Sequence, residues 1–216
     1  PLRDGARLTV ITARGRGALE RRRSKPAFAR AALANLRSRD ALARHMERVL
    51  FATPAARFPA RPFGSFGVRR IELSPANAED ALLASGSIPL VCAPVETPAG
   101  APSGDYWDGG LIDYHLLLPY PQLKGIVLYP HFVPYVTPGW LDKHLPWRTR
   151  PQAHPWLANL LLFAPSPALL TRLPNRKLPD RDDFYRYGLD HAARQRDWQR
   201  AIAECGRMAD DVMSWL

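Results

Sequence analysis

Cysteine is nearly absent: Cys92 and Cys205 are the only two in 216 residues, and they lie far apart. One such pair cannot form a disulfide framework, so reduced thiols are the default reading. Metal-ligand spacing is missing as well, since His131, His144 and His154 do not fall at zinc-type intervals. No apolar run reaches membrane-spanning length, and no secretory leader is visible. Acidic residues are scarce, 20 against 30 Lys and Arg, which leaves a net charge of +10. That balance favours anionic partners, lipid headgroups or nucleic acid. Nucleic acid is not expected, because the basic residues are not interleaved with a stacking platform of aromatics. Internal repeats and low-complexity tracts are also lacking.

What the chain has is enough for a globular body. Its length allows one domain with a sizeable core. A hydrophobic share of 46% and a charged share of 23% are ordinary for such a domain. The 22 prolines are about twice the usual share. They crowd between Pro89 and Pro179, which marks a loop-rich region of short elements.

Leu8 to Thr12 is β-rich and reads as a buried strand. Arg14 to Lys25 is a basic connector around Arg21-Arg22-Arg23. Ser24 is placed to cap a helix that starts near Pro26, with Phe28, Ala32, Leu33 and Leu36 on one face. Asp40 then caps a second helix, with Leu42, Met46, Val49 and Leu50 at helical spacing. These helices form a basic insertion over about 24–51. Arg30, Arg37, Arg39, Arg44 and Arg48 occupy its outer faces, either as a solvated surface or as a lid that meets anionic lipid. Phe66 to Leu73 reads as a second strand, and Ser74 caps a helix over Asn77 to Ser85. Asp105 to Asp108 is a short strand, and Lys124 to Tyr129 is a buried one.

The segment over about 130–180 is rich in proline and aromatics. Pro155 to Ala164 within it reads as a short core helix, or as the wall of an acyl-chain pocket or an interfacial helix flanked by Trp156, Arg172 and Lys177. Over 183–216, Trp198, Ile202, Cys205, Ala209, Val212 and Leu216 recur in a four-three-four rhythm, which predicts a long amphipathic helix. Strands alternating with helices imply an α/β layer fold with a mostly parallel sheet.

The stretch that carries chemistry runs from Leu82 to His115. Ala84-Ser85-Gly86-Ser87-Ile88-Pro89 ends a helix, Pro94-Val95 follows, and Asp108-Gly109-Gly110 closes a short strand. Glycines after an acid allow backbone angles that other residues resist, and they leave space beside the carboxylate. These three pieces, in this order, resemble the patatin-like phospholipase family. The detailed match covers those few dozen residues, and the flanking elements fit loosely.

The resemblance implies a layered α/β/α fold and a Ser-Asp dyad, with Asp108 as base, Gly109 and Gly110 in its turn, and Ser85 and Pro89 as structural support. It implies a serine in a Gly-x-Ser-x-Gly elbow and a Gly-rich oxyanion loop, both upstream of the matched region. Neither motif is in this chain. Gly64-Ser65-Phe66-Gly67 comes nearest, and it reads as a loop leading into a strand. Ala13-Arg14-Gly15-Arg16-Gly17 reads as a surface turn. The expectation is therefore the C-terminal part of a longer patatin-like domain, incomplete on its N-terminal side and inactive alone. After the Asp-Gly-Gly turn the family often has Asp-Asn-x-Pro, where this chain has Asp113-Tyr114-His115-Leu116. Asp113 fits that pattern. Tyr114 and Leu116 depart from it.

The leading expectation is a lipid acyl hydrolase of phospholipase A or esterase type, cytoplasmic or peripheral to a membrane, with no metal and no organic cofactor. Its partners are a lipid or ester substrate and an anionic membrane surface. The competing expectations are a non-catalytic basic module that binds anionic membrane or nucleic acid, and an inactive truncated remnant. A parallel sheet without its first strands would expose an apolar edge, which predicts poor solubility for the isolated chain.

Overall fold

The structure is a computed structural model that describes residues 7–20, 25–59, 62–148 and 154–214. The cap expected at Ser24, the Arg21-Arg22-Arg23 run and Leu216 lie outside those residues. Among the described residues the chain divides into two compact units, one within Pro1–Val127 and Tyr135–Leu160, the other within Leu128–Pro134 and Leu161–Leu216.

The first unit is built on a five-stranded sheet of order β3-β2-β1-β5-β4. β1 (Thr9–Gly15) and β2 (Met46–Ala52) pair antiparallel over seven residues. β3 (Val68–Glu72) runs parallel to β2. β5 (Asp105–Asp108) is antiparallel to β1, and β4 (Val95–Glu96) is antiparallel to β5. The fold is α/β, as the alternation of elements implies. The mostly parallel sheet is corrected to a mixed one in which β2–β3 is the parallel pair. Periodicity reports which residues are buried and carries no information on strand direction.

The second helix expected across Asp40 to Leu50 is also corrected. α1 (Lys25–Arg37) is followed by the short α2 (Arg39–Leu42), and the apolar run beyond is β2. Every residue of β2 is buried. A strand covered on both faces shows a continuous apolar run rather than alternation, and such a run mimics one side of a helix. Ser38, not Asp40, caps α2, accepting the Ala41 N–H at 3.0 Å.

Helices cover both faces of the sheet. Ala27, Ala31 and Leu42 of α1 and α2 pack with Ala13, Met46 and Trp107 on one face. On the other face, Ala81 and Ala84 of α3 (Ala78–Ser85) pack with Val10, Val49, Phe51 and Tyr106. Two of the expected inward residues of α1 are turned out: Leu33 and Leu36 are exposed, while Ala27, Ala31 and Asn35 are buried. Asn35 points inward because it donates to Asp142 at 2.9 Å. Asp142 is fully buried, and it also receives Arg39 and, at 3.1 Å, Arg148. Asn77, rather than Ser74, organises the start of α3: its Oδ1 accepts the Ser74 N–H at 2.9 Å.

In the second unit the long helix is broken in two. α6 (Asp182–Tyr187) stops at Gly188, whose φ is +52°, and α7 (His191–Met213) follows. α7 turns Ala201 and Met208 inward, packed with Leu169 and Leu173 of the region around α5 (Pro167–Arg172). Ile202 is exposed, so the expected stripe is offset by one position. The apolar segment expected as a core helix becomes β7 (Leu160–Phe163), paired with β6 (Val127–Pro130) in a small parallel sheet. The buried strand expected over Lys124 to Tyr129 begins only at Val127 and alternates, with Leu128 exposed.

Phe51, with no exposed surface, and Leu83, 61% exposed, calibrate this core. Phe51→Ala should lower the free energy of unfolding by about 3–5 kcal/mol. Leu83→Ala should stay within about 0.5 kcal/mol of the parent. Urea unfolding of both variants checks the assignment of β2 to the interior.

Candidate active site

Asp108 ends β5 opposite Thr12 of β1. By strand alternation its side chain shares the α3 side of the sheet with Tyr106. The strand end is registered from that side too, since the Asp108 N–H donates to the Ser87 carbonyl at 3.0 Å. The chain then crosses the end of β5 at Gly109. A Cβ there would lie 2.3 Å from the Ile11 carbonyl oxygen, so only glycine passes this close to β1. α4 (Gly110–Asp113) follows at once, a single turn.

The Asp108 carboxylate accepts the Gly110 N–H at 2.7 Å. Burial holds its pKa above the usual carboxylate value, and the Gly110 bond opposes this in part. No cation pairs with Asp108 among the described residues. Three other buried carboxylates of this unit are held by arginines. Glu47 meets Arg14 at 2.7 Å, Asp142 meets Arg39 and Arg148, and Asp113 is held by Arg48 through both oxygens at 2.5 and 2.7 Å.

Asp108, Gly109 and Gly110 line a cleft of about 1180 Å³ in the first unit. Its walls are largely apolar: Val10 and Ile11 of β1, Phe58, Leu116, Leu118 and Leu123. Its charged and polar lining is Arg7, Arg57, Asp113, Tyr114, Thr9 and Ser85. An apolar cleft with two cations and a carboxylate in no ion pair among the described residues suits an amphiphilic molecule better than a small polar solute.

The remaining residues singled out in the sequence fall as follows. Ser85 is the last residue of α3, and its hydroxyl donates to the Leu82 carbonyl at 2.7 Å. Ser87 does the same to Leu83 at 2.8 Å. Both hydroxyls are engaged by the helix end. Pro89 is buried in the turn that follows, which closes from Val91 N–H to Ile88 carbonyl at 3.2 Å. His115 is buried, and its Nδ1 accepts the Thr137 N–H at 3.0 Å, which makes it a structural residue rather than a base. The Ser65 hydroxyl is bonded to Asp40, in the loop before β3. Arg14, expected in a surface turn, sits at the end of β1 and binds Glu47, Glu20 and the Ser103 carbonyl. Arg48, expected on an outer helix face, is 2% exposed.

Sequence reasoning missed Arg48 and Arg57 as residues of this region. Arg48 carries one signal in retrospect: an arginine inside a run of apolar residues needs a buried acid. Among the described residues no group of three or more His, Cys, Asp or Glu is arranged to hold a metal, and no helix is long and apolar enough to cross a membrane. Compared with protein-family models, curated proteins and solved structures, the chain matches none.

The raised pKa of Asp108 has a stability consequence. A carboxyl whose pKa is higher folded than unfolded binds more protons in the native state between those two values. Stability therefore falls as pH rises through that window above the ordinary Asp value. Asn can keep the Gly110 bond without the charge. Asp108→Asn should unfold at higher urea concentration than the parent at pH 7, and the gap should close toward pH 4. An equal gap at both pH values would contradict the burial of Asp108.

Proposed function

We propose that this chain carries the general base of a patatin-like serine acyl hydrolase that acts on lipid esters, with Asp108 as the base. The observation that carries the reading is Asp108 itself: a carboxylate at a strand end, unpaired by any cation among the described residues, raised in pKa by burial and lining an apolar cleft. A base tuned upward toward the operating pH is the more effective proton acceptor. The serine comes from outside these residues. The cleft has room for it beside Thr9 to Ile11, where β5 has ended and no longer covers β1.

In this mechanism Asp108 takes the serine proton as the oxygen attacks the ester carbonyl. The tetrahedral intermediate collapses, and the proton passes to the departing alcohol. Water then attacks the acyl-serine ester with Asp108 again accepting the proton, the carboxylic acid leaves and the serine hydroxyl is restored. Val10, Ile11, Phe58, Leu116 and Leu118 supply the apolar wall for an acyl chain, and Arg7 and Arg57 favour an anionic headgroup.

The test uses the natural polypeptide, assayed on p-nitrophenyl esters and phospholipid vesicles. Asp108→Ala should lower kcat by about 10²–10⁴-fold with the fold intact. A fluorophosphonate probe should label one serine in the parent. Full activity in the variant would sink the assignment.

A second reading, contact with an anionic membrane, rests on α1. Arg30, Leu33, Leu36 and Arg37 form one exposed face of it, cations beside solvent-facing leucines. The protein should co-sediment with vesicles containing phosphatidylserine and not with pure phosphatidylcholine, and high salt should release it. Leu33→Ser/Leu36→Ser should weaken the binding. Salt-sensitive retention on nucleic acid without vesicle binding would favour a nucleic-acid module instead.

A further inference from the structure

We infer that Arg48 is the positioning residue of the Asp108 turn, acting through the Asp113 carboxylate. The inference rests on the reading of Asp108 as base, but its geometry stands by itself. Arg48 lies in the middle of β2, on the α1/α2 side of the sheet with Met46. Asp108 lies on the α3 side. The five residues from Gly109 to Asp113 are what joins the base on one face to an anchor on the other.

That joint cannot hold itself. α4 is one turn, and a single turn fixes several dihedrals for one or two hydrogen bonds, so it has no stability of its own. Its geometry comes from its surroundings: Leu111 and Ile112 are packed in the core, the Tyr114 N–H donates to the Pro138 carbonyl at 2.9 Å, and both ends of the turn are gripped by side chains. At the start, the Gly110 N–H reaches Asp108. At the end, Arg48 holds Asp113 through Nε at 2.5 Å and Nη2 at 2.7 Å, with both side chains 2% exposed. A planar guanidinium fork fixes direction as well as distance. The fork is itself fixed. Its Nη1 donates to the Phe63 carbonyl at 3.3 Å, and its Cζ lies 3.9 Å from the Phe63 ring centroid. Arg39 assists by donating to the Ile112 carbonyl at 2.7 Å. With Leu111 and Ile112 held in the core, release of Asp113 loosens the direction of the turn rather than its place, and so weakens the Gly110 N–H bond to Asp108. It also leaves a second carboxylate in the same cleft as the base.

The reporter is the Gly110 amide proton in this chain, followed by NMR against pH, because an N–H donated to a carboxylate shifts as that carboxylate ionises. The parent should show one clear titration at Gly110 that reports Asp108. In Arg48→Gln the amplitude should fall severalfold and the Asp108 midpoint should move further up, since the anion loses its donor. Arg48→Met/Asp113→Leu replaces the pair by apolar groups of similar bulk, a change that buried pairs often tolerate in stability. It should fold and still lose the Gly110 titration. Phe51→Ala, destabilised without touching α4, should keep it.

Parent-like amplitude and midpoint at Gly110 in either Arg48 variant would overturn the inference, as would an equal loss in Phe51→Ala. Failure of the hydrolase reading is distinguishable. Asp108→Ala that retains hydrolysis, with Gly110 uncoupled in the Arg48 variants, removes the reading of Asp108 as base and leaves the positioning intact.

Discussion

A Cβ at position 109 would lie 2.3 Å from the Ile11 carbonyl oxygen, so the chain can cross the end of β5 against β1 only as glycine. Much of the site's form follows from that contact. It ends β5 at Asp108 and leaves Thr9 to Ile11 uncovered on one side, which opens the cleft. It also commits the next four residues to a turn on the opposite face of the sheet, with Gly110 just close enough to Asp108 to donate to it. A side chain at 109 would push β5 from β1 and lose the register that sets Asp108 opposite Thr12.

Charge is distributed to match. A net charge of +10 suggests a surplus of cations at the surface, yet several arginines are consumed inside. Arg14, Arg39, Arg48 and Arg148 each reach a mostly buried acid and at least one backbone carbonyl. A buried acid without a cation is costly, which explains why these pairs form. Asp108 departs from the pattern, and burial there raises a pKa instead of being offset by a guanidinium. A carboxyl raised in pKa in the same unit as Glu47, Asp113 and Asp142, which arginines hold, is a candidate for chemistry.

The legible parts of the fold were those governed by local signals. Asp105 to Asp108 is a strand with the expected bounds, and the helix ending at Ser85 is in place, because turn residues and a short apolar run determine both. β2 was not legible, since a strand buried on both faces offers the same apolar spacing as a helix. The inner face of α1 escapes the sequence pattern for a related reason. Alanines at 27 and 31 let the helix approach closely, and Asn35 is drawn in by Asp142, which is 107 residues away in sequence. Hydrophobicity ranks leucine above alanine and asparagine and so points to the wrong face. In the site, Asp108 and its glycines carry a motif, while Arg48 and Asp113 are joined only by folding, across 65 positions. No spacing rule spans that distance.

The edges of the sheet bear on the expectation of an exposed apolar rim. β4 is two residues long, and β3 carries exposed Arg69, Arg70 and Glu72. Short or charged edge strands discourage pairing with another chain. The expected apolar edge is therefore replaced by two guarded ones, and the reason is the mixed topology: with β1 placed centrally between β2 and β5, the most apolar strands are inside. The backbone that stays open is the short length of β1 past Gly109. Leu8 and Arg16 exchange hydrogen bonds on the β2 side, with Thr53 and with the His45 carbonyl. Strand parity then turns the N–H and C=O of Thr9 the other way, toward the cleft, while the Ile11 carbonyl meets Gly109. On the proposed reading, an apolar cleft floored by strand backbone with a carboxylate at one end would give an acyl chain a wall and a carbonyl a place beside Asp108, and the same few residues of β1 would serve both.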